Sequence, residues 1–282
     1  MAKKVIAIAS GKGGTGKTTA AVNLAAVAAF PVTLLDCDVE EPNVHLFIKP
    51  EWEHRERHTV LVPSFDLEKC TACGDCREKC RFNAIVIIND EPKVFAELCH
   101  SCGVCSLICP EGAIAETPRE IGTVESGRWK HVTFAHGILD VSEAQSPPLM
   151  ARVKEFSSED GLTIIDCPPG TACPAVESVR GSDYVLLVTE PTPFGLNDLI
   201  LAVEMTRALN IPFGILLNRA DVGDDAVRDY CGRENIPILL EIPFDRELAV
   251  VCSGGDIAVE ALPKYREIFT GLLDRLMSEV GE

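Results

Sequence analysis

An apolar run, Val5-Ile6-Ala7-Ile8-Ala9, opens the chain after Lys3 and Lys4. Five apolar residues in a row without alternation describe a strand covered on both faces, as in a parallel sheet. A glycine-rich stretch follows, then an alanine-rich segment from Ala20 to Phe30 that Pro31 closes. Alanine loses little freedom on entering a helix and proline cannot continue one, so a helix is predicted there. Val32-Thr33-Leu34-Leu35 reads as a second buried strand. Strand, loop, helix and strand in this order start an α/β unit.

The rhythm breaks after about Val60 and returns later. Strand candidates are Leu162–Ile165, Tyr184–Val188, Phe213–Leu217 and Ile238–Ile242, with helical segments near Leu149–Phe156, Leu196–Leu209 and Pro263–Met277. The predicted fold class is α/β, a mostly parallel sheet with helices on both faces. The early strands need the late ones to cover their edges. Residues 1–62 and 118–282 are therefore expected to form one discontinuous domain, with 63–117 inserted into it.

That insert carries a repeat. Cys70-Thr-Ala-Cys73-Gly-Asp-Cys76-Arg-Glu-Lys-Cys80 returns 29 positions later as Cys99-His-Ser-Cys102-Gly-Val-Cys105-Ser-Leu-Ile-Cys109. C-x2-C-x2-C-x3-C is the run of a bacterial two-cluster ferredoxin, whose fourth cysteine ligates the other cluster. Three close thiolates wrap three corners of a cubane, and the fourth lies too far along to close the same one. The reading assigns Cys70, Cys73, Cys76 and Cys109 to one 4Fe-4S cluster, and Cys99, Cys102, Cys105 and Cys80 to a second. The module is expected to be α+β and ferredoxin-like. Zinc, the main competing metal, favours two ligand pairs split by a spacer. Pro110 follows Cys109 but Arg81 follows Cys80, a departure that bears on the geometry of Cys80 and leaves a three-iron centre as an alternative.

The glycine-rich stretch, Gly11-Lys12-Gly13-Gly14-Thr15-Gly16-Lys17-Thr18, satisfies G-x-x-x-x-G-K-[ST] between a strand and a helix. Its glycines let backbone N–H groups converge on phosphate oxygens, and the helix N-terminus adds partial positive charge. Lys17 would neutralise the β- and γ-phosphates, Thr18 would ligate Mg2+, and Thr19 would reach the α-phosphate. ATP and Mg2+ are the cofactors this loop implies.

Lys12 makes the loop K-G-G-x-G-K-[ST], and here the chain resembles the MinD/Mrp/nitrogenase-iron-protein group of ATPases. The resemblance implies that Lys12 reaches across a nucleotide-sandwich interface, in a homodimer or a heterodimer with a related ATPase. It implies that Asp36 supports Mg2+ and Asp38 orients the attacking water on a first switch. It gives Asp166-Cys167-Pro168-Pro169-Gly170 the part of a second switch, where Asp166 holds Mg2+ through water and the Gly170 N–H senses the γ-phosphate. By the same resemblance Asn218 and Arg219 read adenine, and Pro243, Phe244 and Asp245 close over the base. Lys12, Lys17, Asp38 and Asp166 are thus the expected catalytic set.

Composition narrows the partners. A formal charge of −17 opposes nucleic acid and anionic lipid. Apolar stretches fall short of the roughly 18 residues a membrane span needs. The terminal segment from Pro263 sets Lys264, Arg266 and Arg275 against Glu267, Asp274, Glu279 and Glu282, without the basic face of an interfacial helix. A cytoplasmic protein without membrane anchor is expected, since the N-terminus reads as no secretory signal. Of thirteen cysteines, Cys37, Cys167, Cys173, Cys231 and Cys252 lie outside the repeat. In the nitrogenase iron protein a cysteine placed like Cys173 helps hold a bridging cluster, but its upstream counterpart is missing here, as is the C-terminal C-x-x-C of iron–sulfur scaffold ATPases. The preferred expectation is an ATP-gated electron carrier serving a redox partner protein. The alternatives are a cluster assembly or carrier ATPase, and a MinD-like positioning ATPase with redox-sensing clusters.

Overall fold

Apolar runs become central strands because parallel strands must be covered on both faces. The computed structural model describes residues 2–281. It runs β1 (Lys4–Ala9), α1 (Lys17–Val27), β2 (Val32–Asp36), α2 (Val44–Ile48), β3 (Glu51–Phe65), α3 (Asp75–Lys79), β4 (Ile85–Ile88) and β5 (Glu91–Val94). A single 3-10 turn (Ala96–Leu98) leads to α4 (Val104–Ile108), β6 (Ile114–Trp129), β7 (Val132–Leu139), α5 (Pro147–Lys154), β8 (Leu162–Asp166) and α6 (Cys173–Val179). Then follow β9 (Tyr184–Thr189), α7 (Pro193–Ala208), β10 (Phe213–Asn218), α8 (Ala226–Glu234) and β11 (Ile238–Ile242). The chain closes with α9 (Arg246–Ser253), α10 (Ala258–Ala261) and α11 (Pro263–Glu279).

Nine strands form one sheet in the order β11-β10-β9-β1-β8-β2-β7-β6-β3. Pairing is parallel from β11 to β7 and antiparallel in the last two pairs. Alternate residues feed two cores. Ile6, Ile8, Leu34 and Ile164 pack under α1 and α11, while Ala7, Leu35, Ile165 and Leu187 pack under α5, α6, α7 and α8. The α/β class with helices on both faces is as expected.

Two differences have physical reasons. The first helix starts at Lys17, not Ala20, because the glycine loop feeds straight into its first turn. The strands β3, β6 and β7 were not expected. β3 reads Glu-Trp-Glu-His-Arg-Glu-Arg-His at its start and is largely exposed. As an edge strand it is held by backbone pairing to β6 over most of its length, which leaves little apolar signature.

The long β3–β6 hairpin carries the cysteine-rich segment at its far end. There β4 and β5 pair antiparallel as a separate two-stranded sheet. The short helices α3 and α4 follow Gly74 and Gly103, whose φ values of 89° and 70° lie in the left-handed region that glycine tolerates. Ala84, Ile85, Pro92 and Ala113 are the buried apolar residues between Phe65 and Ile114.

Candidate nucleotide site and cysteine-rich tip

The loop from Ser10 to Gly16 leaves the carboxyl end of β1, at the middle of the sheet, where open α/β folds place ligands. Two of its glycines are demanded by close approach. A Cβ on Gly11 would sit 2.1 Å from the Asp198 carbonyl oxygen in α7, and one on Gly16 would sit 2.9 Å from Nδ2 of Asn218. Gly16 also has φ 102°. Lys17 is buried at the start of α1, and the Thr18 hydroxyl donates to Oδ2 of Asp166 at 2.7 Å. The other Asp166 oxygen is buried without a partner, as is the Thr15 hydroxyl. A hydroxyl and a carboxylate with a free oxygen suit Mg2+, a hard cation that takes oxygen ligands.

Asp166, Asp36 and His136 occupy one register row on β8, β2 and β7. Burial pushes both carboxyls up, Asp36 further raised by Asp166 beside it, while the Thr18 hydrogen bond and Lys17 partly offset the rise at Asp166. Asp36 is fully buried and accepts the N–H groups of Asp38, Asn43 and Val44. Its carboxylate thereby ties down the loop that presents Asp38. Burial lifts the Asp38 carboxyl to about 6, with Lys17 opposing the rise. On the second switch, the Gly170 N–H donates to the Ser10 carbonyl at 2.9 Å, so the switch is fastened to the phosphate loop.

Beside the loop lies a cavity of about 160 Å³ lined by Gly14, Gly16, Thr19, Asn218, Arg219, Pro243, Phe244 and Asp245. The structure thus gathers the residues that the sequence reading set around the base. Asn218 donates from Nδ2 to the Thr15 carbonyl at 2.8 Å. Asp245 caps α9 and accepts from Lys264 and Tyr265, which hold its carboxyl well below the usual range. Leu248, Ala249 and Cys252 of α9 also line the cavity. They were missed because α9 gives no signal of facing a ligand. Lys12 does not point outward. Its Nζ lies 3.3 Å from Oε2 of Glu190, just past β9.

With this geometry in view, comparison with known proteins decides the family. Residues 6–256 match the CobQ/CobB/MinD/ParA nucleotide binding domain. The chain belongs to that family. It is a P-loop ATPase of MinD/ParA type, and ATP with Mg2+ fits its loop. An uncharacterized protein of Methanocaldococcus jannaschii is 30% identical over 278 residues, 96% of this chain and 95% of that protein. The iron-sulfur cluster carrier protein of Pyrococcus abyssi is 24% identical over 99% of this ATPase and 89% of its own length. The cell division ATPase MinD of Pyrococcus furiosus shares the fold, with TM-score 0.59 and 21% identity over 98% and 99% of the two chains. No helix among the described residues is long and apolar enough to cross a membrane.

At the hairpin tip the cysteines divide between two cavities. One is lined by Cys70, Cys73, Cys76 and Cys109, the other by Cys80, Cys99, Cys102 and Cys105, with Cys76 in the shared wall. Among the described residues, no three His, Cys, Asp or Glu converge as one metal ion would require. The fourth cysteines of the two runs are local equivalents. Cys80 (φ −71°, ψ 105°) accepts the Ala84 N–H at 3.4 Å, and Cys109 (φ −67°, ψ 113°) accepts the Ala113 N–H at 3.3 Å. Arg81 in place of a proline leaves that turn unchanged.

A strap joins the tip to the ATPase body. Gln145 donates from Nε2 to the carbonyls of Cys99 (3.1 Å) and Glu97 (3.3 Å), and Glu143 pairs with Arg119 of β6 at 2.5 Å. Behind the strap comes α5, whose Lys154 donates to the carbonyls of Glu177 and Arg180, both at 2.7 Å, at the end of α6. That helix starts at Cys173, three residues after Gly170. A groove of about 380 Å³ between strap, α6 and tip is lined by Gln145, Cys173, Pro174, Phe82 and His100.

Proposed function

We propose that this ATPase uses a nucleotide-driven change of state to gate electron delivery from two 4Fe-4S clusters, held by residues 63–117, to a partner protein. The observation that carries the reading is the crossed arrangement of eight cysteines around two cavities: Cys109 of the second run joins Cys70, Cys73 and Cys76, and Cys80 of the first run joins Cys99, Cys102 and Cys105, with Cys76 in the wall between. A ferredoxin of this ligand pattern builds its clusters in that way. The thiols spread around a cavity rather than a point, which suits a cubane and not a zinc ion. Such clusters, when bound, supply one-electron transfer at low potential, tuned by hydrogen bonds to sulfur.

The residues of the ATPase body have separate tasks. Lys17 would hold the β- and γ-phosphates, and Thr18 with Asp166 would hold Mg2+, an ion that would offset charge developing on the departing ADP. Asp38 orients water and can take its proton, since a carboxyl titrating near 6 is ionised yet basic at neutral pH. Asn218, Arg219 and Phe244 enclose the base. A γ-phosphate would compete with Ser10 for the Gly170 N–H, freeing the second switch. Movement there passes through α6 and Lys154 to α5, and through Gln145 to the Cys99 loop. Lys12 serves a paired state with a second copy or a related ATPase.

The test is anaerobic purification with assay of iron and acid-labile sulfide, followed by electron transfer from reduced protein to candidate acceptors. Rates should differ between ATP, ADP and no nucleotide. Equal rates in all three would refute gating, and iron-free folded protein would refute the clusters. The likeness to an iron-sulfur cluster carrier protein favours a second reading, delivery of a whole cluster to an apoprotein. Transfer of iron and sulfide to an apo-acceptor, rather than of electrons alone, would select it.

A further inference from the structure

Glu190 entered above only as the neighbour of Lys12, yet its carboxylate lies inside the site. The residue follows β9, which pairs directly with β1, so it stands beside the phosphate loop. Its side chain is only 8% exposed. One oxygen lies 3.3 Å from Lys12 Nζ and the other 2.9 Å from Arg219 Nη1. The backbone leaves Glu190 little freedom. Its carbonyl accepts the Thr192 N–H at 2.8 Å, and a Cβ on Gly195 would come within 2.2 Å of that same oxygen. The first turn of α7 therefore clamps the residue in place.

A nearly buried carboxylate beside a polyphosphate cradle is electrostatically opposed to the substrate unless it restrains cations there. Glu190 restrains two. Lys12 is thereby folded back onto its own chain, and Arg219, at the rim of the base cavity, pairs with the same group by charge alone, since Oε1 makes no hydrogen bond. We propose that Glu190 is the positioning residue for Lys12, holding its ammonium in the unpaired protein and exchanging it for the triphosphate of a second subunit on pairing. Pairing then costs the loss of one carboxylate contact and gains a more highly charged anion. The proposal rests on the paired state described above.

Two measurements test it separately from that reading. In nucleotide-free protein, competitive acylation of lysines read by mass spectrometry should show Lys12 several-fold more reactive in Glu190→Gln, with other lysines unchanged. Glu190→Asp keeps the charge but shortens the reach, and should expose Lys12 in the same way. Unchanged Lys12 labelling in both variants overturns the proposal. In sedimentation with Mg2+ and a non-hydrolysable ATP analogue, the pairing midpoint of both variants should move to about fivefold lower protein concentration, the scale of one partly exposed ion pair. A wild-type midpoint in both overturns it. ADP affinity should stay within about twofold of wild type. Lost ADP binding with unchanged labelling would make Glu190 a prop of the loop and also overturn it. A wild-type chain that stays monomeric with saturating analogue refutes the paired state instead, and the labelling still decides where Lys12 is held.

Discussion

The phosphate loop and the cysteine tip are both short motifs rich in glycine, but they are held in contrasting ways. The loop is backed by β1, β2, β8 and β9, nearly all of whose residues are buried, and by two hydrophobic cores. Its shape is set by the packing of the sheet around it. The tip has four buried apolar residues, and its eight cysteines are intermediate or exposed. So few buried groups offset little of the conformational entropy of about fifty residues. One region is held by the sheet, and in the other the proposed clusters would supply the missing order.

The sharpest way to break this contrast is at Lys17. Lys17→Ala should lower ATP hydrolysis by about 10²- to 10³-fold, while iron content stays at the wild-type level. A parallel loss of iron would mean the regions are not separately built. Next, chelation of iron under anaerobic conditions should abolish hydrogen-exchange protection between residues 70 and 109 but leave β1 and β8 protected. Cys102→Ser should cut iron from about eight to about four per chain, one cubane of two. Loss of protection across the whole sheet would contradict independent support.

A third probe addresses Asp38. Its carboxyl lies near 6, and the ionised form accepts the proton, so hydrolysis should fall about tenfold per pH unit below that value and level off above it. Asp38→Asn should remove the inflection and lower the rate by about 10²- to 10³-fold at neutral pH. The sign for stability is opposite. A carboxyl raised on folding holds its proton longer when folded, so it costs stability as pH rises from about 4 through about 6. The asparagine variant should melt slightly higher above pH 6, by a few degrees at most. The smallest effect is expected at the strap. Gln145→Ala should leave hydrolysis within about twofold, yet shrink the nucleotide dependence of electron transfer from the proposed clusters. An undiminished nucleotide dependence would show that coupling runs elsewhere.

Much of this was legible beforehand because the chemistry is local. The glycine, lysine and threonine spacing of the loop marks a strand-to-helix turn wherever it occurs, and β1, β2 and β8 to β11 follow from predominantly apolar runs. β3, β6 and β7 were not legible. β3 and the outer half of β6 are polar and largely exposed, and pairing along an edge leaves no periodic mark, whereas β7 is mostly apolar and buried between β2 and β6, a signal the reading passed over. The base cavity was only half legible. Asn218 and Phe244 could be named, whereas Leu248 and Cys252 face it because α9 happens to pack there.

Sequence by itself determined the phosphate loop, the paired cysteine runs and the alternation that makes an α/β sheet, since each depends on neighbours a few residues apart. Tertiary structure alone decided that Lys12 meets Glu190, 178 positions away, and that Gln145 grips the Cys99 loop, 46 positions back. Local spacing determines which groups can act together within one turn or loop. Which distant groups touch is settled only when the sheet closes and packs its helices, because every such contact is chosen jointly with all the others.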